Sequence, residues 1–130
     1  MLKPNWPTLL VRTVQKWADA PFQWGQTDCA EFVIDVVNTI SAEPVLKNRL
    51  KGEYATHRDL LRILSNGQGL KDRVCEQLGQ PVPVAFAKRG FVVMKDGNLG
   101  ICLGGASAFR NPKGLAFSDT LDCECAWRVE

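Results

Sequence analysis

The sequence predicts an α+β domain in which N-terminal helices pack on an antiparallel β-sheet. Two observations predict it. Apolar residues fall at helical spacing up to about Gly79, and after "QPVPV" the chain changes to short apolar runs separated by turn signals. Helices first and a meander of strands second is the order of an α+β domain, not of alternating βαβ units. The 130 residues, 45% of them apolar, are read as one domain over 1–130, large enough to bury a single core.

The first helix carries Leu10, Val14 and Trp17 at i, i+4 and i+7, with Arg12, Lys16 and Asp19 turned elsewhere. Pro7 suits its first turn. A second helix is expected from Asp28 to about Ser41. Phe32, Val33, Ile34, Val36, Val37 and Ile40 leave it only a narrow polar stripe of Glu31, Asp35 and Asn38, so it should be mostly surrounded by protein. A third opens at Thr56, with Asp59 at N3 in a capping-box-like arrangement and Leu60, Leu61 and Leu64 as its apolar face. Leu70, Val74 and Leu78 mark a short fourth. "FVVMKDGNLGICL" holds Asp96-Gly97 between two apolar runs, a hairpin signal. "GLAFSDT" and "CECAWRV" read as further strands. In the latter, Cys123, Cys125, Trp127 and Val129 share a core face, and Glu124 and Arg128 take the other.

The net charge is +2, with Lys and Arg scattered among Asp and Glu, so no nucleic-acid partner is expected. "MLKPNWPTLL" lacks an apolar core of signal-peptide length and is broken by Pro4 and Pro7. No run approaches the roughly 18 apolar residues of a spanning helix. A soluble chain made in the cytoplasm is therefore expected. Its five cysteines, irregularly spaced, read as reduced thiols rather than a disulfide framework. Cys102, Cys123 and Cys125 lack a CxxC spacing and a neighbouring histidine, so neither metal nor cofactor is expected.

"PFQWGQTDCAEFVIDVV" places Cys29 where a loop turns into the apolar second helix, with Thr27 or Asp28 as cap. In a first turn, unsatisfied N–H groups and the helix dipole favour an anion. A thiol there can be lowered towards a nucleophilic thiolate, and the same N–H groups can stabilise an oxyanion. The alternative is that Cys29 is a small buried apolar residue. Trp24 likewise either walls a pocket beside Cys29 or plugs the core, while Gly25 lets the loop approach the helix start.

"FQWGQTDCAEFV" resembles the nucleophile segment of the NlpC-type papain-like cysteine peptidases: an aromatic, one residue, Trp-Gly, a short gap, then Asp-Cys opening the central helix. In that superfamily a Gly-Asp-aliphatic strand and a His-Val-Gly-Ile-Tyr strand follow, where this chain has "RGFVVMKDGNLGICLGG". More narrowly, "PFQWGQTDC", "GEY", "GICLG", "GLAF" and "AWRV" are similar to a small family of phage proteins encoded among tail genes, distant relatives of those peptidases. The resemblance implies a papain-like fold, a tail-tip or baseplate setting with hub or baseplate proteins as partners, and Cys29, Asp28 and Trp24 as site residues.

The departures bear on activity. The histidine that takes the thiol proton in the superfamily aligns with Asn98, and an amide is no general base. The usual Gly-Asp is Gly90-Phe91, and the third polar residue falls near Phe109 or Arg110. The single histidine, His57, stands in the first turn of the third helix, where a solvent-facing role is the simpler reading. Three classes of function remain. One is a phage virion component that keeps the fold with degenerate or lost activity, located in the tail. Another is an active peptidoglycan hydrolase used in phage entry, with Cys29 as nucleophile. The third, a free-standing host binding protein, draws only on generic composition. The missing imidazole favours the first.

Overall fold

Residues 1–19, 29–46, 70–111 and 114–129 are described by a computed structural model. Helix α1 (Trp6–Ala18) begins behind Asn5, which makes no side-chain capping bond, and Pro7 sits in the first turn, where its missing N–H breaks no helical bond. Leu10, Val14 and Trp17 are buried, as their spacing predicts. Helix α2 (Cys29–Ile40) starts one residue later and ends one earlier than expected. Phe32, Val33, Val36, Val37 and Ile40 are buried, and residues 30, 31, 34, 35, 38 and 39 are half-buried. The third predicted helix, from Thr56, lies outside the described residues. The fourth is present as α3 (Leu70–Leu78), with Val74 buried.

The polar stripe of α2 ties neighbouring chain to the helix. Asn38 donates from Nδ2 to Leu46 O at 2.9 Å, and its Oδ1 accepts from the N–H of Val45 and of Leu46 at 2.9 and 3.0 Å. The start of the chain is tied to the end of α2: Leu2 bridges Ser41, Lys3 N–H donates to Ile40 O at 2.9 Å and Ala42 N–H to Met1 O at 2.8 Å. Trp17, near the end of α1, meets the Phe32 ring edge-on at 5.7 Å and donates from Nε1 to Asp35 Oδ2 at 2.7 Å. The two helices therefore run antiparallel.

Asp35 also accepts from Thr39 Oγ1 at 3.4 Å and pairs with Lys16 Nζ at 2.9 Å. Burial by itself would raise its carboxyl pKa. The hydrogen bonds from Trp17 and Lys16, the charge of Lys16 and the Thr39 hydroxyl outweigh that and hold it below its ordinary 3.8. A carboxylate depressed on folding contributes stability that is complete above its unfolded pKa and is lost as pH falls through the lower folded value. Thermal melts between pH 5 and pH 2 should therefore lose less stability in Asp35→Ala than in wild type. At neutral pH the same variant should be weaker by about 1–3 kcal/mol, because the indole N–H of Trp17 loses its partner.

Five strands form one sheet in the order β4-β3-β2-β1-β5, every neighbouring pair antiparallel. The strands are β1 (Val92–Lys95), β2 (Asn98–Cys102), β3 (Ala106–Asn111), β4 (Gly114–Asp119) and β5 (Cys125–Trp127). The predicted hairpin is β1–β2: Lys95 pairs with Asn98, and Asp96 and Gly97 both have positive φ, 52° and 79°, as a two-residue type I′ turn requires. Two short 3-10 turns, Val84–Phe86 and Thr120–Asp122, pack against each other beside the sheet.

Arg110 marks the face on which the helices lie. Buried in β3, it donates from Nη1 to Trp17 O at 3.0 Å, and its guanidinium stands 6.0 Å over the Trp17 ring. Register then places Ala108, Ile101, Leu99, Val92 and Trp127 on the same face. The opposite face holds Val93, Gly100, Cys102, Ser107 and Phe109. Gly100 is required there: a Cβ would lie 2.6 Å from Ala108 O and from two atoms of the Phe109 ring, which covers it.

Two expectations need correction. Strand β3 was not foreseen, because "ASAFRN" carries no β-branched residue and no clean alternation; Ser107, Ala108, Phe109 and Arg110 are all buried, since both faces of this inner strand are covered. The last strand is shorter than "CECAWRV" and does not include Cys123. The Cys123 N–H donates to Thr120 O at 3.1 Å, still closing the 3-10 turn, so the chain rotates before it enters the ladder. Cys123 consequently neighbours Ser107 and Lys95, whereas Cys125 pairs with Met94 and neighbours Lys71 and Cys75. Both are buried, on different sides.

Candidate functional site

Helix α2 opens at Cys29 and packs on β2 and β3. Its first turn already carries the carboxylate of Glu31, which takes up part of the favour the helix N-terminus extends to an anion. Trp24, Asp28 and His57 lie outside the described residues. Asn98 is the exposed first residue of β2, opposite Lys95. It thus belongs to the strand on which α2 packs. Alternation sets its side chain with Gly100 and Cys102, however, and it is Leu99, 3% exposed, that faces the helix layer at this end.

The two positions at which the resemblance would put a third polar residue are taken up in other ways. Phe109 covers Gly100, and Arg110 is committed to Trp17. Neither presents a group that could orient an imidazole. The segment 1–129 as a whole matches the profile of a family described as a domain of unknown function, DUF6950. The chain belongs to the DUF6950 family. Among curated proteins, none matches it. In this DUF6950 chain, then, the helix that opens at Cys29 packs on β2 and β3, the strands that carry Asn98, Leu99 and Arg110.

A second group of nucleophile-type side chains lies on the other sheet face and escaped the sequence reading. Thr120 Oγ1 donates to Gly104 O at 2.7 Å and shares a 2.8 Å hydrogen bond with Ser107 Oγ; Cys102 Sγ lies 3.7 Å from the same hydroxyl and donates to Gly104 O at 3.3 Å. Cys123 Sγ donates to Asp119 O at 3.8 Å. Nothing in "CLGGAS" signals this cluster, because its members meet through the fold of the loop. It is a buried network whose hydroxyls bond one another and the Gly104 carbonyl. Among the described residues no group of three or more Cys, His, Asp and Glu is arranged to hold a metal ion. No described helix is long and apolar enough to cross a membrane.

Three of the described thiols are shielded from solvent. Cys102, Cys123 and Cys125 are buried. Burial pushes the Cys123 thiol above its ordinary value, against the Ser107 hydrogen bond and the Lys95 charge; burial likewise raises Cys125, against Lys71. If Cys29 is an accessible thiolate, iodoacetamide at neutral pH should label it ahead of the four others, as read by mass spectrometry of the native protein. Equally slow labelling of all five would identify Cys29 as a packing residue.

Proposed function

We propose that this DUF6950 chain is a structural component of a phage tail tip or baseplate. It would have a papain-like, NlpC-related fold whose peptidase activity is degenerate or lost, so that it acts as a pseudoenzyme docked to hub or baseplate proteins. The observation that carries the reading is a pairing of match and departure. A "WGxxDC" element leads into a helix that opens at Cys29 and packs on an antiparallel meander, while the strand position that bears the superfamily's histidine holds the exposed Asn98. A nucleophile position kept without its base supports retention of the fold for assembly.

The second reading is a peptidoglycan endopeptidase or amidase used in host entry, favoured by the placement of Cys29 in the first turn of α2. In that reading Cys29 attacks the peptide carbonyl, the backbone N–H groups of the turn hold the oxyanion, and the base comes from outside the described residues.

The two readings differ in what Cys29→Ala does to a virion. Under the structural reading, phage carrying the variant should assemble normally and plate within a few-fold of wild type. Normal particles that adsorb but fail to deliver DNA would overturn it in favour of the hydrolase. Loss of the protein itself, by a stop codon early in the gene, should instead block tail assembly.

A further inference from the structure

Large apolar side chains left in solvent are informative when they cluster. Phe86 and Leu121 are 63% and 72% exposed, and they stand on the two 3-10 turns that pack against each other. Between these turns lies a cavity of about 450 Å³. Ala85 and Ala87, on either side of Phe86, contribute to its wall, and Leu121 lines it directly. Gly104 and Gly105 also line it, and a Cβ on Gly105 would meet nothing within 4 Å.

The frame around the cavity is rigid. Phe86 N–H donates to Pro83 O at 3.0 Å and Ala87 N–H to Val84 O at 3.0 Å, which closes the first turn; Thr120 N–H donates to Gly105 O at 2.9 Å and joins the second turn to another lining residue. Thr120 is itself pinned through its hydroxyl to Gly104 O and Ser107. Such a frame binds without first being ordered, which favours affinity.

Charge decides the kind of occupant. Asp119 and Asp122 both line the cavity and both are exposed. We infer that this surface docks a segment of a partner protein that sets one apolar side chain into the cavity beside Leu121, next to the turn that exposes Phe86, and places flanking Lys or Arg residues against Asp119 and Asp122. A second copy of the chain in symmetric contact would bring the same two carboxylates against themselves, and like charges across an interface oppose association. A membrane surface with anionic lipids is disfavoured by the same two charges. The inference does not depend on the phage reading above.

The test is a selection of random dodecapeptides displayed on an unrelated carrier, performed on the immobilised protein. The enriched peptides should carry an aromatic or aliphatic residue flanked by Lys or Arg. Added to ¹⁵N-labelled protein, a synthetic copy of the best one should shift the amides of Phe86, Gly105 and Leu121 saturably. Affinity should fall at least tenfold in Asp119→Asn/Asp122→Asn, in Phe86→Ser/Leu121→Ser, and in Gly105→Leu, which adds bulk to the cavity lining. All substituted positions are exposed, so unchanged amide spectra elsewhere would confirm that each variant is folded. Failure of any peptide to enrich, enrichment of acidic peptides, or shifts that map to another surface would each overturn the inference. So would concentration-dependent dimers that Phe86→Ser/Leu121→Ser abolishes.

Discussion

Purified wild-type protein should release no more than traces of product from peptidoglycan-derived peptides. Proton abstraction from a thiol by a positioned imidazole is worth about a hundred- to ten-thousand-fold, and that contribution is missing where Asn98 stands. Restoring the residue type should not restore the rate. In Asn98→His the ring would start from an exposed position whose side chain alternates away from Leu99 and the helix layer. Nor could Phe109, which lies over Gly100, or Arg110, which holds Trp17 O, fix its tautomer. Product should be followed by mass spectrometry over hours, with Cys29→Ala as the control. Robust turnover by the wild type that Cys29→Ala abolishes would overturn the structural reading. His57→Ala would then be the decisive next variant, because His57 is the chain's one imidazole.

Trp127→Ala should be the most damaging single substitution to the fold. Trp127 is the largest fully buried side chain, at 0% exposed, and sits on β5 opposite Val92 in the layer under the helices. Truncating such a residue typically costs about 3–5 kcal/mol. Domains of this size have only about 5–15 kcal/mol in total, so the melting temperature should fall by roughly 10–20 °C. Trp127→Phe should behave differently. The indole Nε1 is buried and has no hydrogen-bond partner among the described residues, so the shorter ring removes an unsatisfied donor whose burial costs about 1–3 kcal/mol while keeping most of the apolar contact. Urea titrations of the two variants should show Trp127→Phe close to wild type and Trp127→Ala far below it. Equal losses would mean that the indole N–H is bonded, through water for instance, and that its removal is what hurts.

What could be read from the residues divides along a physical line. Patterns set by a local period were legible. Leu10, Val14 and Trp17 recur at helical spacing and are buried; Leu70 to Leu78 form a helix; Asp96-Gly97 makes the tight turn because that conformation needs two positive φ values. The coarse class, helices on an antiparallel sheet, followed from these. Elements defined by their neighbours were not legible. The inner strand β3 is buried on both sides and so shows no alternation, and the twist that separates Cys123 from Cys125 comes from a 3-10 turn that "SDTLDC" does not announce. The candidate site was legible as a helix start at Cys29. The side on which Asn98 falls became visible only with the β1–β2 register, and the Phe86–Leu121 surface only once two turns far apart in sequence were seen to touch.

The hydrogen bond from Arg110 to Trp17 spans 93 positions, and it fastens β3, the third strand to be made, onto the first helix. A ribosome adds roughly 5–20 residues per second, so α1 waits on the order of 5 to 20 s for its partner to emerge. During that interval α1 and α2 can pair with each other, but Phe32, Val36 and Ile40 have no sheet to cover them. The growing chain is then at its stickiest, well before its five strands exist. Chaperone demand should therefore fall on the nascent protein more than on the finished one. Slowing synthesis after α2 would prolong the hazard, and coupling fast synthesis of residues 70–127 to early hairpin closure at Asp96-Gly97 would shorten it.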